Sequence, residues 1–129
     1  RGAAWRCIMR NVILAVLIAA PAAAFAEQPR TVEVQLSNFD FTPSAIHLAA
    51  GQPVTLHLVN TAHGGHNFAA PEFFAAAANV SGPVTHGAVE VGSNAAVDVT
   101  LTPAAGHYRL RCTHTMHTAF GMSGEIVVE

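Results

Sequence analysis

From Cys112 to Met122 the chain reads Cys-Thr-His-Thr-Met-His-Thr-Ala-Phe-Gly-Met. Within that stretch lie a thiol, two imidazoles and two thioethers. Cysteine and methionine sulfur are soft donors and imidazole is a borderline one, a mixture that suits copper rather than hard, oxygen-seeking cations. Two histidines, a cysteine and a weak axial methionine are the ligand set of a blue-copper electron-transfer centre. The stretch supplies the cysteine, one histidine and the methionine. The other histidine must come from elsewhere, and Gly64-Gly65-His66-Asn67-Phe68 offers His66.

Rivals exist inside the stretch. On an extended segment His114 shares the side of Cys112, so it competes with His117. Met116 competes with Met122 in the same way. His63, His114 and Met116 could also form a second, exposed copper site. The chain has only one other cysteine, Cys7, and it lies in an N-terminal segment expected to be removed. The exported domain then keeps Cys112 alone, and a lone thiol in an oxidising compartment is a liability unless something occupies it. All eight histidines, from His47 to His117, lie outside that N-terminal segment.

These residues need a rigid frame, and the pattern around them is β. Thr31–Leu36 alternates apolar and polar side chains, as do Val54–Asn60 and Ala95–Leu101. Alternation with period two marks half-buried strands. Ala45–Leu48, Ala88–Val91 and Gly124–Val128 read as further strands, and His66–Ala70 follows the glycine loop. His107–Cys112 puts Tyr108, Leu110 and Cys112 on one face and Arg109 and Arg111 on the other. His47 and His57 fall at outward strand positions. Phe39–Pro43 reads as a turn-rich link. Pro71–Ala78 reads as one short helix, with proline in its first turn, an early glutamate and an alanine run. Seven or eight short strands in about 100 residues, broken by glycine and proline turns, indicate an all-β sandwich of Greek-key type.

The N-terminus has a different character. Arg6 and Arg10 precede the apolar run Val12–Ala20, and Ala24-Phe25-Ala26 fits a small-x-small cleavage site. This is the pattern of a secretory signal peptide over residues 1–26, cut before Glu27. With Met9 as initiator, residues 1–8 lie upstream of it. The apolar run is shorter than the roughly 20 residues a spanning helix needs. The expected product is one domain, residues 27–129, in the periplasm or otherwise exported, with no membrane-integral segment. That domain has three arginines, no lysine and eight carboxylates. An acidic surface of this kind argues against nucleic acid and against anionic membranes as partners.

The motifs together resemble the cupredoxins, the plastocyanin- and azurin-like small blue copper proteins. The matching residues are His66-Asn67, Cys112-Thr113, His117 and Met122, with Tyr108 four residues before the cysteine and Gly124 opening the last strand. The Cys-x4-His-x4-Met spacing is similar to that of the phytocyanin-like branch. The paired cysteines of plant phytocyanins are absent, which suits a bacterial exported relative. The resemblance implies His66, Cys112 and His117 as equatorial copper ligands and Met122 as the axial one. It also implies that Asn67 hydrogen-bonds toward Thr113 and stiffens the cysteine loop. A monomeric one-electron carrier with one copper ion, Cu(I) or Cu(II), is the function implied, with no enzymatic activity. Its redox protein partner would dock around His117. The alternative is a periplasmic copper-binding, copper-resistance or copper-delivery protein.

Overall fold

The computed structural model describes residues 18–23, 28–114 and 121–129. Alternation dictates the first sheet. In β4 (Val54–Asn60) every second side chain is buried, and the register places Val54, Leu56, Leu58 and Asn60 inward. The strand is flanked by β1 (Arg30–Ser37), which runs parallel to it, and by β8 (Ala96–Thr102), which runs antiparallel. Two short edge strands complete the sheet, β2 (Asp40–Thr42) and β6 (Ala78–Ser81), in the order β2-β1-β4-β8-β6.

The second sheet has the order β3-β10-β9-β5-β7, from Ala45–Leu48, Ser123–Val128, Gly106–Arg111, His66–Ala69 and Ala88–Val91. The inner faces of the two sheets meet in one apolar core containing Leu36, Leu56, Leu58, Phe68, Val99, Leu110 and Ile126. Sequence neighbours are often separated between sheets, so the chain crosses the sandwich repeatedly. Cys112 and Met122 belong to this same core. The site is therefore built into the sandwich and not onto its surface.

The all-β sandwich with one short helix agrees with the sequence reading, and β2 and β6 bring the described strands to ten. The Phe39–Pro43 link contains β2, which turns back on β1 through Phe39 at φ 67°. The helix α1 (Pro71–Ala76) is shorter than the alanine run suggests. Ala77 is already extended, and Ala78 pairs with Thr102 of β8. Pairing with an existing sheet edge outweighs the intrinsic helix preference of alanine, which is only a weak prior.

Helix α1 holds the strands near the site. Its Phe73 and Phe74 are buried and pack edge-on, with centroids 5.3 Å apart. The contacts extend from Phe74 through Phe68 to Phe41, and from Phe73 to Tyr108. Edge-to-face rings satisfy their quadrupoles while excluding water. The Tyr108 hydroxyl donates back to the carbonyls of Ala104 and Ala105 at 2.9 and 3.2 Å, fixing the turn into β9. That closure needs Gly106, because a Cβ there would lie 2.9 Å from the Tyr108 ring.

Candidate metal centre

Cys112 follows directly after β9, and alternation carries its side chain inward, fully buried. Met122 precedes β10 and is also fully buried. The two are joined through the backbone, since the Cys112 N–H donates to the Met122 carbonyl at 3.1 Å. The antiparallel β9–β10 ladder thus extends one bond past its last paired residues, Arg111 and Ser123. The loop between the two sulfur residues is closed at its base.

His66 opens β5 and is 2% exposed. Its position depends on Asn60, a buried polar residue at the end of β4. Asn60 Nδ2 donates to the carbonyls of Gly64, Val91 and Gly92 at 2.9 to 3.1 Å. Its Oδ1 accepts the Ala62 N–H at 2.9 Å. One amide therefore pins the His63–Gly65 loop to the end of β7, and His66 emerges from a fixed point. Asn60 was not among the candidate residues read from the sequence. An asparagine ending a strand just before a histidine-glycine loop was the available signal.

Across the sandwich end, His66 Nδ1 lies 3.9 Å from Cys112 Sγ. A single ion can bridge such a pair, because metal–nitrogen and metal–thiolate bonds of roughly 2.0 and 2.3 Å span that distance at an open angle. The Asn67 backbone N–H points at Cys112 Sγ from 3.5 Å. An N–H aimed at sulfur stabilises a thiolate, the form in which cysteine binds a metal. A buried thiolate position, an imidazole facing it and a buried thioether suit copper by the softness of their donors and by their burial.

His66, Cys112 and Met122 gather at one end of the sandwich. His117 and its rival Met116 lie outside the described residues. Among the described residues, no three His, Cys, Asp or Glu side chains converge as a metal-binding group. His114 Nε2 is 2.7 Å from Glu90 Oε2, and its ring lies against Gly65. His63 is exposed on the glycine loop. His57 faces outward and meets Asp98 across the β4–β8 pair at 2.5 Å, and His47 is exposed.

Around the sulfur a polar network ties the two strands. Thr113 N–H donates to Asn67 Oδ1 at 2.8 Å, and Asn67 Nδ2 donates to Thr113 Oγ1 at 2.7 Å. The Asn67–Thr113 link expected from the resemblance is therefore present, and doubled. Asn67 Nδ2 also donates to Glu90 Oε1 at 2.9 Å. Partial burial pushes the Glu90 carboxyl upward, but the hydrogen bonds from Asn67 and His114 and the imidazole charge outweigh it. The net result is a carboxyl below its ordinary value. A cavity of about 560 Å³ opens on the outer side of this network, beside Glu90, Asn67, Thr113 and Arg111. Its lining includes none of the three gathered donors.

Comparison with known proteins gives the same architecture. The family model described as a cupredoxin-like domain matches residues 10–128. A solved structure of auracyanin B is 27% identical, with a TM-score of 0.61, over 81% of this chain and 92% of that one. Auracyanin A, described as a "blue" copper protein from the green thermophilic photosynthetic bacterium Chloroflexus aurantiacus, is 22% identical with a TM-score of 0.58. That match covers 79% of this chain and all of the other. A multicopper oxidase from Campylobacter jejuni shares the fold at 12% identity and a TM-score of 0.62, over 80% of this chain and 31% of the oxidase. No curated protein matches the chain.

Proposed function

The chain belongs to the cupredoxin-like domain family, and on that premise we propose that it is an exported one-electron carrier. In this reading His66, Cys112, His117 and Met122 hold a single copper ion. The observation that carries it is the buried Cys112 Sγ, 3.9 Å from His66 Nδ1 and faced by the Asn67 amide. Copper in such a site supplies a Cu(II)/Cu(I) couple whose potential depends on the axial ligand and on the surroundings of the sulfur.

The protein's contribution is rigidity and polarity. His66, Cys112 and Met122 stand at the ends of three strands of one sheet, β5, β9 and β10, so either oxidation state meets these three donors in the same positions. Cys112 binds as thiolate and the histidines as neutral imidazoles, so binding releases protons and weakens in acid. Four protein donors leave no open position, and an open position is what a catalytic metal site keeps. That favours a carrier over an enzyme, although the fold also occurs in an oxidase.

Copper handling is the alternative, and the surplus donors His63, His114 and Met116 motivate it. The contact of His114 with Glu90 supports the carrier, because it engages one of those donors elsewhere. Export rests on the basic, apolar and small-residue pattern of residues 1–26. Among the described residues, no helix is long and apolar enough to cross a membrane. A redox protein partner would dock around His117, and in this reading Gly64, Gly65 and Gly121, together with Ala119 and Phe120 outside the described residues, would supply a small apolar surface. Electron-transfer encounters bury less than about 1,200 Å², so such a surface is sufficient.

The test is electrochemical. Copper-loaded protein should show a reversible one-electron couple and keep its ion through repeated cycles. Met122→Leu should raise the potential, because removing a sulfur donor costs Cu(II) more than Cu(I). Loss of copper to a mild chelator on reduction, or binding of two ions per chain, would establish copper handling instead.

A further inference from the structure

We infer that Glu90 is the positioning residue that locks the cysteine loop to its neighbouring strand, and through it the Cys112 sulfur. The inference deepens the copper reading and rests on it for its effect on the metal. Its geometry is complete without metal.

Glu90 sits on β7, directly opposite Asn67 of β5 in the ladder. One carboxylate oxygen accepts from Asn67 Nδ2 at 2.9 Å, and the other meets His114 Nε2 at 2.7 Å. An ionised carboxylate only accepts hydrogen bonds, so His114 Nε2 carries the proton. Asn67 and His114 lie on either side of Cys112 in the network: Asn67 aims its own N–H at the sulfur, and His114 is two residues beyond it. Asn67 is bonded twice more to Thr113. The carboxylate thus closes a ring that runs Glu90, Asn67, Thr113, His114 and back to Glu90, with Cys112 held at its inner edge.

The acceptor count makes the role specific to a carboxylate. Three donors compete around this ring: two N–H groups of the Asn67 amide and one of the His114 imidazole. Thr113 takes one of them and Glu90 takes the other two. Replacing one Glu90 oxygen by an amide NH2 leaves one acceptor for two donors: in one orientation Asn67 Nδ2 faces a donor, and in the other His114 must move its proton to Nδ1 and exchanges a charge-assisted bond for a neutral one. Buried or half-buried donors that lose an acceptor rearrange or go unsatisfied. Either outcome weakens one of the two links from Glu90, to Asn67 or to His114, and the loop that they brace loosens.

The experiment uses the full protein in copper-free and copper-loaded forms. In copper-free Glu90→Gln, the Thr113 amide should exchange hydrogen faster and the Cys112 thiol should react several-fold faster with a disulfide reagent. Copper affinity should fall about tenfold, the lower end for residues that support metal ligands. Glu33→Gln makes the same charge change on the other sheet and should alter none of these. In an Asn67→Ala background, Glu90→Gln should have no further effect on thiol reactivity. Unchanged amide exchange and thiol reactivity in Glu90→Gln would overturn the proposal, as would effects that simply add in the double variant. Should the Asn67→Ala background not fold, amide exchange in Glu90→Gln decides alone. A protein that binds no copper but shows the faster exchange would leave the lock standing and remove the carrier reading.

Discussion

Asn67 touches Cys112 and its neighbour in three ways. Its backbone N–H faces Sγ at 3.5 Å, and its side chain exchanges a donor and an acceptor with Thr113 at 2.7 and 2.8 Å. These bonds cross from β5 to the end of β9, strands that share one ladder pair among the described residues, Ala69 with Arg111. The asparagine continues the sheet by other means, where the chain must leave it to form a ligand loop.

Asn67→Ala keeps the backbone N–H and removes both side-chain links. It should lower copper affinity by about tenfold or more. Competition against a chelator of known affinity measures this, and the copper-free protein should still fold.

Asn60→Ala should act on stability first. The substitution strips hydrogen bonds from three carbonyls and one N–H at a nearly fully buried position. Leaving buried groups unsatisfied costs about 2 kcal/mol or more. Chemical denaturation of the copper-free protein would show the loss.

Tyr108→Phe separates frame from site. It removes the hydroxyl bonded to Ala104 and Ala105 and leaves the ring against Phe73. The cost should be about 1 kcal/mol, which lowers the Tm by roughly 4–8 °C in a domain of this size. The absorption spectrum of the copper-loaded protein should not change.

The acid limb of stability should carry the signature of Glu90. Its carboxyl titrates below the ordinary 4.5 when folded. A depressed folded value means that stability is present above 4.5 and is lost as pH falls through the lower folded value. Glu90→Gln should therefore flatten the fall in Tm below pH 4.5, by a small amount because the side chain is largely exposed.

Much of this was legible in residue order. Period two placed Val34, Leu36, Leu56 and Leu58 in the core and Arg109 and Arg111 outside it, because a strand has only two faces. The same alternation carried Cys112 inward. The ligand candidates were legible because thiolate, imidazole and thioether together have few other uses. The missing parts depended on pairing between distant strands. Nothing local distinguishes Glu90 from any outward strand glutamate; it matters because the register sets it opposite Asn67. On an extended segment His114 reads as a rival ligand, and its bond to Glu90 follows from strand register that local sequence does not show. Edge strands β2 and β6 are too short to show a period.

The most direct test of the copper site is the visible spectrum of metal-free protein titrated with Cu(II). A thiolate-to-copper charge-transfer band should grow to an end point at one ion per chain. It should vanish in Cys112→Ser and weaken or shift in His66→Ala and His117→Ala. A colourless adduct, or a band that survives Cys112→Ser, would contradict the assignment of Cys112 as the copper ligand.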